Sequence, residues 1–149
     1  MCSSHATVRG LLHELPEQDL FVLVDAEASP EHLSRATVEA ADLQLVVAEP
    51  YFKSLETARR YSKLGKELGI PNVVVVANKV RTQADEDAIA EFCEQRDMEL
   101  FAIIPFDATL GRAERAGVAP LEFDPSSDVV KAVEEIAEKM IGRVNASSA

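Results

Sequence analysis

The chain has 149 residues, of which 47% are hydrophobic and 28% are charged, and this composition excludes disordered and fibrous proteins. No apolar run is long enough to cross a bilayer and the N-terminus carries no apolar signal segment, so we expect a cytoplasmic protein with no transmembrane segment. Acidic residues outnumber basic ones 26 to 15, and the formal net charge of −11 argues against direct binding of nucleic acid.

Four short apolar runs predict buried β-strands, at Leu20 to Val24, Leu43 to Ala48, Val73 to Ala77 and Leu100 to Ile104. Continuous rather than alternating hydrophobicity is typical of strands that are covered on both faces. Helical segments separate the four runs. This alternation predicts an α/β fold, a three-layer and mainly parallel sheet with helices on both faces.

Capping signals mark the helices between and after these strands. Ser29 and Pro30 provide an N-cap and a first-turn proline for a helix towards Ala40, and a second helix from Lys53 ends at Gly69. We expect one domain over residues 1–149, whose tail frays from about residue 144. Further signals are a capping box at Thr82 and Asp85 before Ile89, Phe92 and Cys93, and a last helix from about Ser127 that buries Val130, Val133, Ile136 or Ala137, and Met140 or Ile141.

The basic residues cluster in one predicted helix, where they have two interpretations. Arg59, Arg60, Lys63 and Lys66 lie close together in the sequence and would form a local basic patch. Their spacing favours the solvated face of an amphipathic helix instead.

Polar residues follow every predicted strand. Ligands of open parallel sheets bind at the carboxyl ends of the strands, where the loops converge. We therefore expect these residues to meet at one edge of the sheet: Asp25, Glu49, Asn78 with Lys79, and the run Pro105, Phe106 and Asp107.

Asp25 directly follows the LFVLV run, in the position of a Walker-B-type carboxylate that holds Mg²⁺ in phosphate-transfer sites. A loop or helix-capping aspartate remains the alternative. A receiver-domain phosphoacceptor needs an acidic cluster after the preceding strand, and the sequence has none.

Asn78 and Lys79 stand where GTPases carry Asn-Lys-x-Asp, whose aspartate accepts hydrogen bonds from guanine. The fourth position is Arg81, which has no acceptor, so guanine recognition is disfavoured. Asn78 is able to bond adenine, and its alternative role is that of a turn residue.

A phosphate-binding loop is absent from these 149 residues. None of the six glycines belongs to a G-x-x-x-x-G-K-[ST] motif, so no cradle of backbone N–H groups is predicted for the β- and γ-phosphates. We expect weak or no ATP binding and no ATP hydrolysis by this chain alone.

Four stretches carry a family resemblance, which covers nearly the whole chain. The chain resembles the MinD/ParA group of P-loop ATPases, and within it is similar to the CooC-type ATPases that insert nickel during maturation of carbon monoxide dehydrogenase. It corresponds to the C-terminal part of such proteins, whose P-loop and first strands would lie before Met1. The stretches are Val24 to Thr37, Ala48 to Arg60, Glu67 to Val80 and Ile103 to Gly117.

The resemblance implies a site for ATP or ADP with Mg²⁺. Asp25 would be the Walker B or switch II acid near Mg²⁺, and Glu27 would belong to the same switch. Asn78 would contact adenine, and the loop of Pro105, Phe106 and Asp107 would surround the base and ribose.

A metal role is also implied through a Cys-x-Cys pair that CooC-type proteins use across a dimer. Only Cys2 is present here, and with His5 it would offer nickel or zinc ligands at a dimer interface. The alternative is an exposed terminal thiol. Cys93 lies on an apolar helical stripe, so we expect it to be a core residue.

Two functional hypotheses follow. The first is the ATP-binding portion of a CooC/MinD-type ATPase, which serves nickel maturation of a metalloenzyme client and works as a homodimer or with a P-loop-bearing partner chain. The second is a non-catalytic interaction module or a dimerising remnant of such an ATPase, whose uncovered sheet edge needs a partner.

Overall fold

The computed structural model describes residues 21–25 and 41–147. Strands and helices alternate along the second range. The elements in chain order are β1 (Leu43–Ala48), α1 (Phe52–Glu67), β2 (Asn72–Val80), α2 (Gln83–Glu94), β3 (Glu99–Pro105), α3 (Ala108–Ala116), α4 (Pro120–Phe123) and α5 (Asp128–Ser147).

The strands form a parallel sheet in the order β1–β2–β3, with β2 in the centre. Three of the four predicted strands are therefore confirmed, and β2 and β3 extend beyond their predicted bounds. Because α1 and α2 connect neighbouring parallel strands in the same direction across the sheet, right-handed crossovers place both helices on the same face.

The predicted strand at Leu20 to Val24 is wrong for the part that the structure describes. Residues 21–25 have no regular secondary structure. Phe21 is 50% exposed and Leu23 75% exposed. A strand needs a neighbouring backbone to pair its N–H and C=O groups, and none of the three strands of the described sheet pairs with this segment. Apolar composition alone does not supply that neighbour.

Two apolar clusters cover the two faces of the sheet and confirm the three-layer α/β architecture. On one face, Leu55 and Ala58 of α1 and Ile89, Phe92 and Cys93 of α2 pack against the strands. On the other face, Ile136 and Met140 of α5 pack against Val76 and the partly buried strand residues Leu43, Leu45, Phe101, Ala102 and Ile104.

The helix ends largely follow the predicted signals. Thr82 and Asp85 form the capping box that starts α2. Gly69 follows α1 with a φ of +85°, a conformation that glycine adopts without the steric penalty of a Cβ. The predicted helix from Ser29 to Ala40 lies outside the described residues.

The last helix differs from its prediction at one position. Val130, Ile136 and Met140 are buried as predicted, but Val133 is 49% exposed, although its spacing from Ile136 and Met140 puts it on the same helix face. The helical backbone extends to Ser147. No helix in ranges 21–25 and 41–147 combines the length and the apolar character needed to cross a membrane.

Candidate functional site

A bulge near the end of β2 shapes the carboxyl edge of the sheet. Ala77 pairs with Ile103 and Val80 with Pro105, so β2 holds one more residue than β3 over this interval. Lys79 adopts a φ of +58°, a left-handed conformation that costs a non-glycine residue roughly 1–2 kcal/mol. Its Nζ lies 2.8 Å from Glu49 Oε1 and thereby connects the ends of β1 and β2.

Asn78 precedes Lys79 in the same bulge and is half-buried. None of the side-chain hydrogen bonds in the described part of the chain uses its amide, which carries two N–H donors and one acceptor oxygen. Asn78 is therefore part of β2 and not a turn residue after it, and its polar atoms are free to bind a ligand.

Arg81 and Phe106 stack on each other where β2 and β3 end. The guanidinium carbon lies 3.4 Å from the centroid of the Phe106 ring, well within cation–π distance. The Phe106 backbone N–H donates to the Val80 carbonyl at 2.8 Å, which holds the two chain segments side by side. Phe106 remains 43% exposed.

Asp107 is the N-cap of α3. Its Oδ1 accepts a hydrogen bond from the Thr109 backbone N–H at 2.7 Å. Hydrogen bonds from the Thr109 side chain and then from its backbone lower the pKa of Asp107. The carboxylate thus stays ionised and is anchored at the helix start, within the loop that the resemblance assigns to the base and ribose.

A cavity of about 310 Å³ opens beside this loop. Three of its lining residues, Asp107, Gly111 and Arg115, recur at intervals of four and so share one face of α3. Gly111 has no side chain to occupy the space. Lys79, Pro105 and Phe106 also line the cavity. Asn78 precedes Lys79 in the sequence but does not line the cavity.

Of the acidic and cysteine residues proposed as metal ligands, only Asp25 lies in the described residues. Asp25 is exposed and lies in the described range 21–25, which has no regular secondary structure. Glu27 and Cys2 lie outside the described residues. Within ranges 21–25 and 41–147, no three His, Cys, Asp or Glu side chains converge on a point that would hold a metal ion.

A Mg²⁺ site needs fewer than three protein ligands. It usually takes one or two carboxylates and completes its shell with water and substrate phosphate, so an exposed Asp25 fits the chemistry of such a ligand. Cys93 is not suited to bind a metal ion. Burial raises the pKa of its thiol, and the positive charge of Arg96 offsets this rise only in part. The thiol therefore remains protonated, and Cys93 is a core residue.

The basic cluster of α1 is largely neutralised within the fold. Three of its four residues form ion pairs with nearby acids at 3.0–3.6 Å, so little free positive charge is left on this helix. The pairs are Arg59 with Glu56, Lys63 with Glu67, and Lys66 with Asp97.

Several features of the edge are not evident from the sequence. The left-handed Lys79, its ion pair with Glu49 and the stack of Arg81 on Phe106 all depend on the register between neighbouring strands. Gly111 is the exception. Its four-residue spacing from Asp107 is a signal that the sequence does contain.

The chain has relatives among known proteins. It is 39% identical over 127 residues to the carbon monoxide dehydrogenase accessory protein CooC of Rhodospirillum rubrum, which covers 85% of this chain and 48% of CooC. It is 36% identical over 143 residues to an uncharacterized ATP-binding protein of Methanocaldococcus jannaschii, which covers 95% of this chain and 54% of that protein. No protein-family profile matches the chain.

The fold also matches a solved structure. The septum site-determining protein MinD of Pyrococcus horikoshii, in complex with Mg-ADP, superposes with a TM-score of 0.70 at 17% sequence identity, over 91% of this chain and 56% of that one. At this level of identity the match establishes the fold alone. The chain spans about half the length of the curated relatives it matches.

Proposed function

We propose that the chain, which is similar to CooC in sequence and to MinD in fold, forms the adenosine-binding side of an ATP site. The observation that carries this proposal is the cavity of about 310 Å³ beside Pro105, Phe106 and Asp107 at the carboxyl edge of the parallel sheet. Ligands of open α/β sheets bind at this edge.

The chemistry of the edge suits a purine nucleoside. Phe106 offers an exposed aromatic ring for stacking, and Leu110 adds apolar lining. The free amide of Asn78 lies next to the cavity-lining Lys79 and matches the donor and acceptor pattern of adenine. Arg81 has no acceptor for the N1–H and N2–H groups of guanine, so we propose that adenine is preferred.

The phosphate end of the site needs groups from outside residues 1–149. We propose that a P-loop in a longer form of this chain, or in a partner chain, supplies the backbone N–H cradle and the lysine. Asp25 and Glu27 would then act near Mg²⁺. On this proposal the chain alone binds ATP weakly and does not hydrolyse it.

Titration of the isotope-labelled chain, followed by NMR, tests the adenosine half directly. We expect ATP and adenosine to shift the backbone amide signals of Asn78 and Phe106, and GTP to shift them much less. A Gly111→Leu substitution fills the cavity, and the Cβ position of residue 111 meets only Arg115 Nη1 at 3.6 Å, an ordinary contact. This variant should therefore fold and lose the shifts.

Gly142→Leu is the matched control for that variant. Gly142 also lies in a helix, and no atom of the described residues lies within 4 Å of its Cβ position. We expect it to bind adenosine like the wild type. The proposal fails if neither ATP nor adenosine moves these signals, or if Gly111→Leu binds as well as Gly142→Leu.

The process served is a separate part of the proposal. We propose that this process is maturation of a metalloenzyme client, which the accessory role in the name of CooC supports. Nickel as the metal is implied by the resemblance to CooC-type ATPases. Cys2 is the proposed ligand, and it acts across a homodimer. Equilibrium dialysis with Ni²⁺ tests this point: we expect about one ion per dimer and loss of binding in Cys2→Ser, and equal binding by both forms would contradict it.

A second candidate function is an interaction module without catalysis. Val47 on β1, an edge strand of the described sheet, is 59% exposed, and Phe52 at the start of α1 is 71% exposed, which leaves apolar surface beside this edge. This hypothesis predicts an oligomer that Phe52→Ser weakens, together with no response to nucleotides. Sedimentation velocity of both forms would distinguish it from the first candidate, which requires the nucleotide response.

A further inference from the structure

Two interactions of the backbone fix the position of Arg81: strand pairing on one side and the start of α2 on the other. Val80 pairs with Pro105, so the next residues of the two chain segments, Arg81 and Phe106, lie opposite each other. The backbone N–H of Arg81 donates to Asp85 Oδ2 at 3.0 Å, within the capping box of α2. The start of the Arg81 side chain is therefore held independently of what its guanidinium contacts.

The guanidinium covers one face of the Phe106 ring. A distance of 3.4 Å to the ring centroid is van der Waals contact and leaves no room for another group on that face. Phe106 lines the cavity and Arg81 does not. The ring thus separates the guanidinium from the cavity.

The stack is the main interaction of the Arg81 side chain. None of the ion pairs in ranges 21–25 and 41–147 involves its guanidinium, and the carboxylate of Asp85 accepts from the backbone of Arg81. Phe106, for its part, is 43% exposed and would sample several rotamers without a neighbour on its face. The two side chains therefore set each other's conformation.

We propose that Arg81 is a positioning residue for the nucleoside site: it holds the Phe106 ring in the conformation that forms a wall of the cavity, so that a purine base stacks on a pre-ordered ring. This inference rests on the proposed function. Loss of the stack would return conformational freedom to Phe106, which each binding event would then have to remove.

The experiment compares adenosine binding and the NMR signals of Phe106 in the wild type, Arg81→Ala and Arg81→Lys. Loss of a cation–π contact at a partly exposed site should weaken adenosine binding about threefold in Arg81→Ala. Arg81→Lys keeps the cation and should recover part of the affinity. Without ligand, the Phe106 ring signals should already change in Arg81→Ala, while the thermal midpoint stays close to that of the wild type.

Arg96→Ala is the matched control, because Arg96 stacks on Phe92 at 3.7 Å, away from the cavity. It should leave adenosine affinity unchanged. If the wild type binds adenosine and Arg81→Ala binds it equally well, the positioning role is refuted and the proposed function stands. If the wild type itself does not bind adenosine, the proposed function fails and the positioning role fails with it.

Discussion

The tightest helix-to-sheet approach yields a sharp prediction about stability. Gly65 lies in the last turn of α1, where a Cβ atom would overlap Gln44 Oε1 of β1 and would lie 3.1 Å from Val73 Cγ2. Gln44 Oε1 ends a flexible side chain, but it is buried, so the side chain must leave a packed site before a Cβ atom fits. We expect Gly65→Ala to destabilise the protein.

The magnitude follows from two opposing terms. Overpacking of a well-filled interior costs about 1–3 kcal/mol. Alanine in place of glycine in a helix returns up to about 1 kcal/mol. The free energy of unfolding should therefore fall by up to about 2 kcal/mol. In a Gln44→Ala background the overlap is gone, and the same Gly65→Ala change should become neutral or stabilising.

Urea unfolding of the four members of this double-mutant cycle measures the coupling between the two positions. We expect a coupling energy of about 1–3 kcal/mol. Gly142→Ala provides the control, since no atom lies within 4 Å of its Cβ position, and it should stabilise the protein slightly. A Gly65→Ala variant as stable as Gly142→Ala would refute the close approach of α1 to β1.

Three further predictions concern caps, charges and backbone strain. Thr82→Ala should lower the free energy of unfolding by about 1 kcal/mol in urea titrations, because α2 loses its N-cap, and Thr82→Ser should retain most of it. Arg143 contacts Glu99 through both guanidinium nitrogens at 3.0 and 2.5 Å and lowers the pKa of Glu99, so Glu99→Gln should cost about 0.5 kcal/mol, discounted for solvent exposure, at neutral pH. That difference should be fully present above the ordinary Glu pKa of 4.5 and vanish as the pH falls through the lowered pKa; an unchanged difference at pH 2 would contradict it. Lys79→Gly and Lys79→Ala both lose the ion pair with Glu49, but only glycine relieves the left-handed backbone, so Lys79→Gly should be the more stable by about 1 kcal/mol, and the reverse order would contradict the strain.

Local signals in the sequence predict the elements that depend on short-range physics. The apolar runs of β1, β2 and β3 and the capping box at Thr82 are confirmed, because each is encoded within a few neighbouring residues. The LFVLV run fails for the opposite reason: a strand exists only if another strand pairs with it. The exposure of Val133 is not an error of helix phase, because Val133 shares a helix face with the buried Ile136 and Met140. It depends on what packs over that part of α5, which helical spacing does not encode.

The residues of the candidate site show the same difference between short-range signals and strand pairing. Asn78, Phe106 and Asp107 are found from their position after apolar runs, and the structure places all three near the carboxyl edge of the sheet. The stack of Arg81 on Phe106 requires the pairing of Val80 with Pro105, which no local pattern encodes. The capping role of Asp107 is a short-range feature, because an aspartate directly before a helix commonly accepts a hydrogen bond from the backbone N–H two residues later, here that of Thr109.

The central position of β2 has a consequence for hydrogen exchange. Val74, Val75, Val76 and Ala77 are at most 2% exposed, and their strand has a paired neighbour on each side. Their amides should exchange only when most of the sheet opens, whereas the amides of the edge strand β1 exchange through smaller local openings. Asn78 lies near the end of this slowest-exchanging strand, and Arg81 directly follows it. The proposed nucleoside site is thus built on the part of the fold that we expect to open last.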